Sequence, residues 1–303
     1  MKKLILIFLA LSLLVLTTGV AFAHQPRIPE GNQIPVADPE ISKAFYTKLE
    51  GKSHAYLILS DKPFALYVNI LVPDIAGQKK DFKVEIVKNG DAENPVAILD
   101  GNNFEWKKFF EPFGYDSYLM GPEYKADASA GMYEIKVSSG DNFGKYSLAV
   151  GEAEAFNFQE VMNALRLIPE IKRDFFEESP AGFIFSPFGW GLVLVMFVLS
   201  FVFGLVYRFL LRKIARGMNG GAGSKAGWVE RGAYKNIGTG GRLIRVGIGV
   251  GLFVWAITTS WNPVILFFSG FCFFEAIFSW CGLYAAIGKN SCPIRGGLLE
   301  FAS

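Results

Sequence analysis

Two histidines are the side chains of this chain best suited to hold a metal. They are His24 and His54, and the sequence contains no other histidine. If a leader is removed after Ala23, His24 becomes the first residue and offers both its α-amine and its ring nitrogen. A further imidazole from His54 would complete a histidine brace, a copper site of some periplasmic and extracellular proteins, and such nitrogen ligands suit Cu(II). Copper is therefore the one cofactor that we consider.

The same segment has a plainer interpretation. The stretch from His24 to Asp38 contains three prolines and a glycine, and chain ends are often disordered. His54 follows Gly51-Lys52-Ser53 and would then begin a strand. On this alternative neither histidine binds metal.

A second candidate site lies in the apolar C-terminal region. Glu275 is the single charged residue between Val246 and Gly288, and a carboxylate inside a membrane is costly enough to indicate a function. It would bind a proton, a cation or a basic group of a partner, with Cys272 on the same helical face. The alternative is that Glu275 is protonated or hydrogen-bonded to a neighbouring span.

Two thiols form the third candidate site. Cys281 and Cys292 follow each other near the end of the chain, and they could be a redox pair or a sulfur acceptor. Eleven positions of straight helix would separate them by about 16 Å, too far for a disulfide, although a turn at Gly288 would remove that objection. The alternative is a pair of packing thiols, which a reducing cytoplasm keeps free.

Aromatic residues mark a candidate binding patch between Asn103 and Tyr118. Exposed aromatic clusters are typical of surfaces that bind a protein partner, a sugar or lipid. The alternative is a long loop that folds back onto the core. The patch residues are Trp106, Phe109, Phe110, Phe113 and Tyr115.

Apolar stretches indicate three membrane spans, near residues 184–207, 243–260 and 264–287. Each approaches the roughly 20 residues that a hydrocarbon core about 30 Å thick requires. Asn262-Pro263 separates the last two spans with a tight turn. Nine Lys and Arg residues, against one acid, lie between Arg208 and Arg245, which predicts that this loop is cytoplasmic.

The start of the chain is typical of a secretory signal peptide. Lys2 and Lys3 precede an apolar run, and Ala21-Phe22-Ala23 is a small-x-small cleavage site. An uncleaved anchor helix is the alternative. We expect an inner-membrane protein of a bacterium, with its N-terminal domain periplasmic and its C-terminus cytoplasmic.

Short alternating runs predict a β-sandwich for the exported domain. Phe82 to Ile86 alternates apolar and charged residues, and Asn89-Gly90 follows as a turn signal. Met132 to Val137 and Lys145 to Val150 alternate again, and their spacing predicts a hairpin. No cysteine occurs between His24 and Trp261, so this domain depends on its core alone.

Two resemblances follow from these residues. Ala130 to Val137 and Gly144 to Val150 resemble the last two strands of bacterial pre-peptidase C-terminal-like sandwiches, which implies binding or secretion rather than catalysis. The segment Lys235 to Arg245, with Cys281-Gly282-Leu283-Tyr284 and Gly288 to Pro293, resembles the YgaP-like transmembrane domain, a two-helix membrane family. Some relatives add a rhodanese domain that moves sulfane sulfur, but this cytoplasmic loop is too short for that fold.

The complete prediction is an all-β ectodomain followed by an amphipathic helix and three transmembrane helices. The amphipathic helix either packs on the sandwich or lies in the membrane interface. Gly247 and Gly251, with Gly249 between them, give the second span a smooth face for packing within the chain or for an oligomer. The segments are a signal peptide (1–23), a sandwich (24–152), a juxtamembrane helix (153–180), a first span (184–207), a basic loop (208–242), a YgaP-like pair (243–294) and a tail (295–303).

Three functions remain open at this point. The first is a non-enzymatic membrane protein that displays the sandwich for a periplasmic partner or ligand. The second is copper binding or delivery, and the third is membrane thiol or sulfur handling. With two histidines there is no identifiable Ser–His–Asp arrangement, so we expect no enzyme. We read the basic loop as a topology determinant that lies against lipid, rather than as a site for nucleic acid.

Overall fold

The computed structural model describes residues 24–218 and 235–287. These fall into two compact units, one formed by residues 24–189 with 258–260 and the other by residues 190–218, 235–257 and 261–287. The proposed signal peptide, residues 1–23, lies outside the described residues, as does Cys292.

The first unit is a sandwich of two β-sheets, as the sequence predicted. Sheet A contains, in spatial order, β1 (Gln25–Arg27), β3 (Lys43–Glu50), β11 (Phe143–Val150), β5 (Phe64–Pro73), β9 (Asp116–Ala128) and β8 (Lys107–Glu111). Sheet B contains β2 (Gln33–Pro35), β4 (His54–Ser60), β10 (Gly131–Ser138), β6 (Lys83–Lys88) and β7 (Ala97–Asp100). Strands β1 and β2 pair in parallel with β3 and β4, and the other pairs are antiparallel.

Alternation of side chains builds the core between the sheets. In β10 the side chains of Tyr133, Ile135 and Val137 are buried, while the residues between them are more exposed. Apolar side chains of both sheets meet in this core, and two deep tyrosines, Tyr56 and Tyr146, join hydroxyls at 3.0 Å. Burial of apolar area without any disulfide stabilises this unit.

The hairpin predicted from β10 and β11 is wrong. Strand β10 pairs with β4 and β6 in sheet B, whereas β11 pairs with β3 and β5 in sheet A. The connection therefore crosses from one sheet to the other. Both strands carry an apolar face toward the same core, and alternation cannot distinguish pairing within a sheet from packing across a sandwich.

The amphipathic helix packs on the outer face of sheet A. Helix α1 (Phe158–Glu170) starts at Asn157, whose side chain accepts a hydrogen bond from the Glu160 amide at 2.9 Å, and continues as a π-helical turn (Ile171–Phe175). The segment that follows α1 forms a second core with the sheet, and Leu167 of α1 packs against that core. Its buried residues are Leu71, Tyr118, Ala149, Ile171, Phe175 and Phe176. Of the two placements that the sequence left open, the structure has the first.

The second unit is helical. Helix α2 (Pro187–Met218) is followed by α3 (Thr239–Trp255) with a π-helical turn (Ala256–Ser260), by α4 (Pro263–Phe278) and by the short α5 (Gly282–Ile287). Among the described residues, the stretches Pro187–Ile214 and Thr239–Ser260 are long and apolar enough to cross a membrane. Helix α4 is also apolar but shorter.

The third predicted span does not run unbroken to residue 287. Helix α4 ends at Phe278 because Ser279 adopts a left-handed conformation with φ of 52°. Consequently Glu275 lies one turn from the end of its helix, although it is near the middle of the predicted span 264–287. At the other end, Asn262 caps α4 by accepting a hydrogen bond from the Val264 amide at 2.8 Å.

Close helix packing uses the middle one of the three glycines that the sequence indicated. A Cβ placed on Gly249 would lie 3.3 Å from Cys272 Cβ, whereas one on Gly247 or Gly251 would meet open space. The Ser269 hydroxyl also donates to the Gly249 carbonyl at 2.9 Å. Gly249 thus sets the approach of α3 to α4. Self-association through Gly247 and Gly251 stays a prediction.

Candidate functional site

The structure does not bring the two histidines together. His24 precedes β1 and shares a hydrogen bond with Ser42, at the start of β3. His54 begins β4, just beyond the far end of β3. His54 contacts Tyr146, whose register partner in β3 is Thr47, five residues beyond Ser42. At about 3.3 Å per strand residue the two histidines lie roughly 15 Å or more apart, whereas a metal binds imidazole nitrogen at about 2 Å. The structure therefore does not place these two residues of one chain at a common metal, and copper binding stays a prediction.

Both imidazoles instead have structural partners. His54 Nδ1 lies 2.8 Å from the hydroxyl of Tyr146 in the core. Burial lowers the pKa of both rings, which favours their neutral form. Within the described ranges, no group of three His, Cys, Asp or Glu side chains is placed to hold a metal.

The aromatic segment folds as a hairpin rather than as a long loop. Strands β8 and β9 pair from Lys107 opposite Met120 to Glu111 opposite Asp116, so β8 forms the edge of sheet A. Phe109, Phe110 and Tyr115 are exposed. The predicted patch therefore exists as a surface on an edge strand and its turn.

Trp106 does not belong to that surface. Its indole Nε1 donates to the Gly101 carbonyl at 2.9 Å, and the ring packs against the inter-sheet core. The ring also lies on Gly121, where an added Cβ would come within 2.7 Å of it. Trp106 thus has a structural role and fixes the entry into β8.

A buried ion pair holds the turn of this hairpin. Lys172, from the π-helical turn, lies 2.5 Å from Asp116 and donates to the Tyr115 carbonyl at 3.1 Å. Both charged side chains are almost fully buried. Burial raises the pKa of Asp116, and the ammonium of Lys172 opposes that rise. The pair joins the hairpin to the helix that covers sheet A.

Glu111 completes the turn. Its carboxylate accepts hydrogen bonds from the amides of Phe113 and Gly114, both at 2.6 Å. Burial raises the pKa of Glu111 to about 7, although these two bonds oppose the rise. This carboxyl group therefore changes charge near neutral pH.

A charged cleft opens beside α1. It has a volume of about 860 Å³ and lies between the β1–β2 connection, strand β3 and the π-helical turn. Four basic and four acidic side chains line it together with His54, among them Lys48, Glu50, Lys145 and Glu177. Lys48 pairs with Glu50 at 2.6 Å and Lys145 with Glu177 at 2.8 Å. A cleft of balanced charge suits a polar ligand or a protein surface.

A polar cluster joins helices α3 and α4 of the second unit near the end of α4. Arg245 Nε donates to Glu275 Oε2 at 3.2 Å, and Arg245 Nη2 lies 3.1 Å from the Cys281 sulfur. Glu275 Oε1 accepts from the Gly282 amide at 2.7 Å. Asn236 is bonded to the backbone of Cys281 in both directions, at 2.7 and 3.0 Å.

This cluster changes the interpretation of both Glu275 and Cys281. Glu275 has a basic partner in α3, so it is hydrogen-bonded to the neighbouring helix as the alternative interpretation stated. Cys281 is buried beneath it, and Cys272 packs in α4 against Gly249. Because the sulfur of Cys281 is covered, a reagent would reach it only if the cluster opened.

Comparison with known proteins agrees with the sequence resemblances. Residues 233–295 match the family model of the inner membrane protein YgaP-like transmembrane domain. The chain carries a YgaP-like membrane segment. This segment holds Arg245, Glu275 and Cys281.

The sandwich has a weak structural neighbour. It is the pre-peptidase C-terminal domain of a collagenase from Bacillus anthracis, with 17% sequence identity and a TM-score of 0.26. The match covers 41% of this chain and 97% of that domain. No protein of curated function matches the chain.

Sequence reasoning missed the partners of the buried charges. The sequence suggested that Arg245 is a charge that flanks a span. If the two helices run antiparallel and turn at Asn262, however, residues 245 and 275 lie at similar heights, within about one helical turn of each other. That spacing could have identified the pair in the YgaP-like segment. Lys172 and Asp116 lie far apart in sequence, and no local pattern connects them.

Proposed function

We propose that this chain is a non-enzymatic inner-membrane protein that displays its β-sandwich on the periplasmic side and binds a polar partner there. The YgaP-like segment and the apolar helices support an inner-membrane location. The signal-like N-terminus and the basic residues after α2 support the orientation, since positive flanks stay cytoplasmic. We include Pro263–Phe278 as a third span, despite its length.

The charged cleft beside α1 carries the binding part of the proposal. It is an open concavity of about 860 Å³ in the sandwich unit, and charges of both signs line it. The buried charged pairs, by contrast, are occupied in holding helices and turns together. These features favour recognition over catalysis.

The two other functions have less support. Copper delivery would need His24 and His54 at one metal, and the structure does not place them together. Thiol handling would need an accessible sulfur, and that of Cys281 is buried against Arg245. Cys292 lies outside the described residues.

Photo-crosslinking from the cleft tests the proposal. A photoreactive amino acid replaces Lys48 in the full chain, which is expressed in its native membrane and irradiated. The matched control replaces Lys125, whose side chain is 64% exposed against 63% for Lys48 and is likewise paired with an exposed glutamate. We expect one defined protein or ligand adduct from position 48 and none from position 125.

Charge reversal then tests the specificity of that adduct. Lys48→Glu should reduce binding of the identified partner at least tenfold, and Lys125→Glu should leave it unchanged, because exposed pairs contribute little to the fold. Equal adducts at both positions, or none at either, would contradict the binding proposal. Turnover of the captured molecule by the purified chain would contradict its non-enzymatic part.

A further inference from the structure

The exposed aromatic residues of the hairpin continue into residues outside it. Five side chains form what we name the aromatic rim: Phe110, Phe113, Tyr115, Phe185 and Phe188. Four of them are exposed, from 39% for Phe188 to 64% for Phe185. A soluble surface rarely leaves so many large rings in water unless they contact something.

Ring contacts join the rim residues in two groups, each of which links the hairpin to the segment before α2. Phe110 packs edge-to-face on Tyr115, with ring centroids 5.2 Å apart, and Tyr115 lies 5.7 Å from Phe185. Phe113 lies against Phe188 with a centroid distance of 3.8 Å. The hairpin thus contacts the short segment that precedes and begins helix α2.

The position of that segment in the chain identifies what covers the rim. Helix α2 begins at Pro187, and Pro187–Ile214 is long and apolar enough to cross a membrane. Phe185 and Phe188 therefore stand where the chain would enter the bilayer. Tyrosine is enriched at this level, where its apolar ring meets lipid and its hydroxyl meets water, and phenylalanine rings bury apolar surface at the boundary between headgroups and acyl chains.

The rim is also held in place rather than loosely attached. Lys172 bonds to Asp116 and to the Tyr115 carbonyl, and Glu111 accepts from the amides of Phe113 and Gly114. These bonds fix the backbone beneath the rings. A fixed backbone lowers the entropy that the rings lose when they contact a partner.

The geometry points to the aromatic rim as a lipid-contacting surface, which lies in the headgroup region of the leaflet that helix α2 enters. Its partner is the bilayer that the chain itself spans. The rim would fix how the sandwich stands on the membrane. This inference depends on α2 crossing the membrane and not on the charged cleft, so either can fail without the other.

Crosslinking in a defined bilayer tests the inference. The full chain, with p-benzoylphenylalanine in place of Phe110, is reconstituted into phosphatidylcholine liposomes, irradiated and digested. Tyr115 is a second probe position, in case the first variant folds poorly. The control probe replaces Leu59, which is 84% exposed on the outer face of sheet B.

We expect a phospholipid mass on the peptide containing position 110 or 115, at a yield at least tenfold above that at position 59. Equal yields at the rim and at position 59 would overturn the inference. Adducts at the rim only to a second copy of the chain would also overturn it, and would indicate self-association. Since the liposomes contain no other protein, a soluble partner cannot produce the expected result.

Discussion

Arg245 of helix α3 donates a hydrogen bond to Glu275 of helix α4 at 3.2 Å, across the closed end of the helix pair. The same guanidinium contacts the Cys281 sulfur and lies 5.4 Å from the ring centre of Tyr284. A carboxylate that looks isolated in sequence thus has a basic partner and a backbone donor. This pairing explains how an acid can remain in an apolar helix.

The first prediction concerns this pair. Arg245→Met leaves Glu275 buried without a basic partner, and we expect a loss of about 3–5 kcal/mol in the free energy of unfolding. Glu275→Gln keeps an oxygen for the Gly282 amide, so its loss should be smaller. Thermal unfolding of the full chain in detergent measures both. Equal unfolding temperatures for wild type and Arg245→Met would show that the pair does not close the helix hairpin.

The second prediction concerns the ion pair in the sandwich unit. Lys172→Met removes the ammonium and leaves Asp116 buried without its partner. This should lower the free energy of unfolding by about 3–5 kcal/mol. Lys125→Met removes an exposed ammonium paired with Glu152 and should have little effect. Denaturant unfolding followed by circular dichroism compares the two variants. Similar stabilities would mean that Lys172 does not join α1 to the hairpin.

The third prediction is a pH dependence that arises from Glu111. Its pKa is raised by burial from an ordinary value of 4.5 to about 7, so the fold favours the protonated carboxyl. The contribution of Glu111 to the free energy of unfolding is therefore fully present below pH 4.5 and is lost as the pH rises through about 7. The free energy of unfolding should fall by about 3 kcal/mol over this range.

Glu111→Gln removes this titration. Between pH 4.5 and 7 the wild type should therefore lose stability relative to the variant, as measured by the free energy of unfolding. Hydrogen exchange of the Phe113 and Gly114 amides, compared between the two proteins at each pH, locates the effect. A constant difference across that range would place the pKa of Glu111 near its ordinary value.

The fourth prediction distinguishes the glycines of α3. Gly249→Leu places a side chain against Cys272 and Ser269, and such overpacking typically costs about 1–3 kcal/mol. Gly247→Leu points into open space and should leave the stability of the isolated chain nearly unchanged or slightly improved. Unfolding temperatures in detergent separate them. If Gly247→Leu is the more harmful, the helix pair packs through the other face.

The sequence was informative where one local pattern decides the structure. Alternation in β10 and the Asn89-Gly90 turn, where both residues have positive φ, identify strands and a turn directly. Gly238 to Arg245 and the Asn262-Pro263 turn likewise identify a two-helix membrane segment. Each of these features depends on neighbours in the chain.

The rest depends on contacts that local patterns do not encode. The alternation in β10 and β11 is the same whether the two strands pair or face each other, so the hairpin prediction was wrong. Helix α4 ends where Ser279 adopts a left-handed conformation, beside the cluster of Arg245, Glu275 and Asn236, and neither proline nor glycine stands at that position. The aromatic segment was recognised, but its division into a structural Trp106 and an exposed rim required the fold.

Periplasmic display of the sandwich is tested most directly by finding on which side of the membrane the sandwich lies. Leu59→Cys places a thiol at an exposed position of sheet B, and a membrane-impermeant maleimide is applied to intact spheroplasts before peptide mass analysis. We expect labelling of position 59 while the membrane is intact. Labelling of position 59 only after lysis would place the sandwich in the cytoplasm and contradict the proposed display of a periplasmic binding domain.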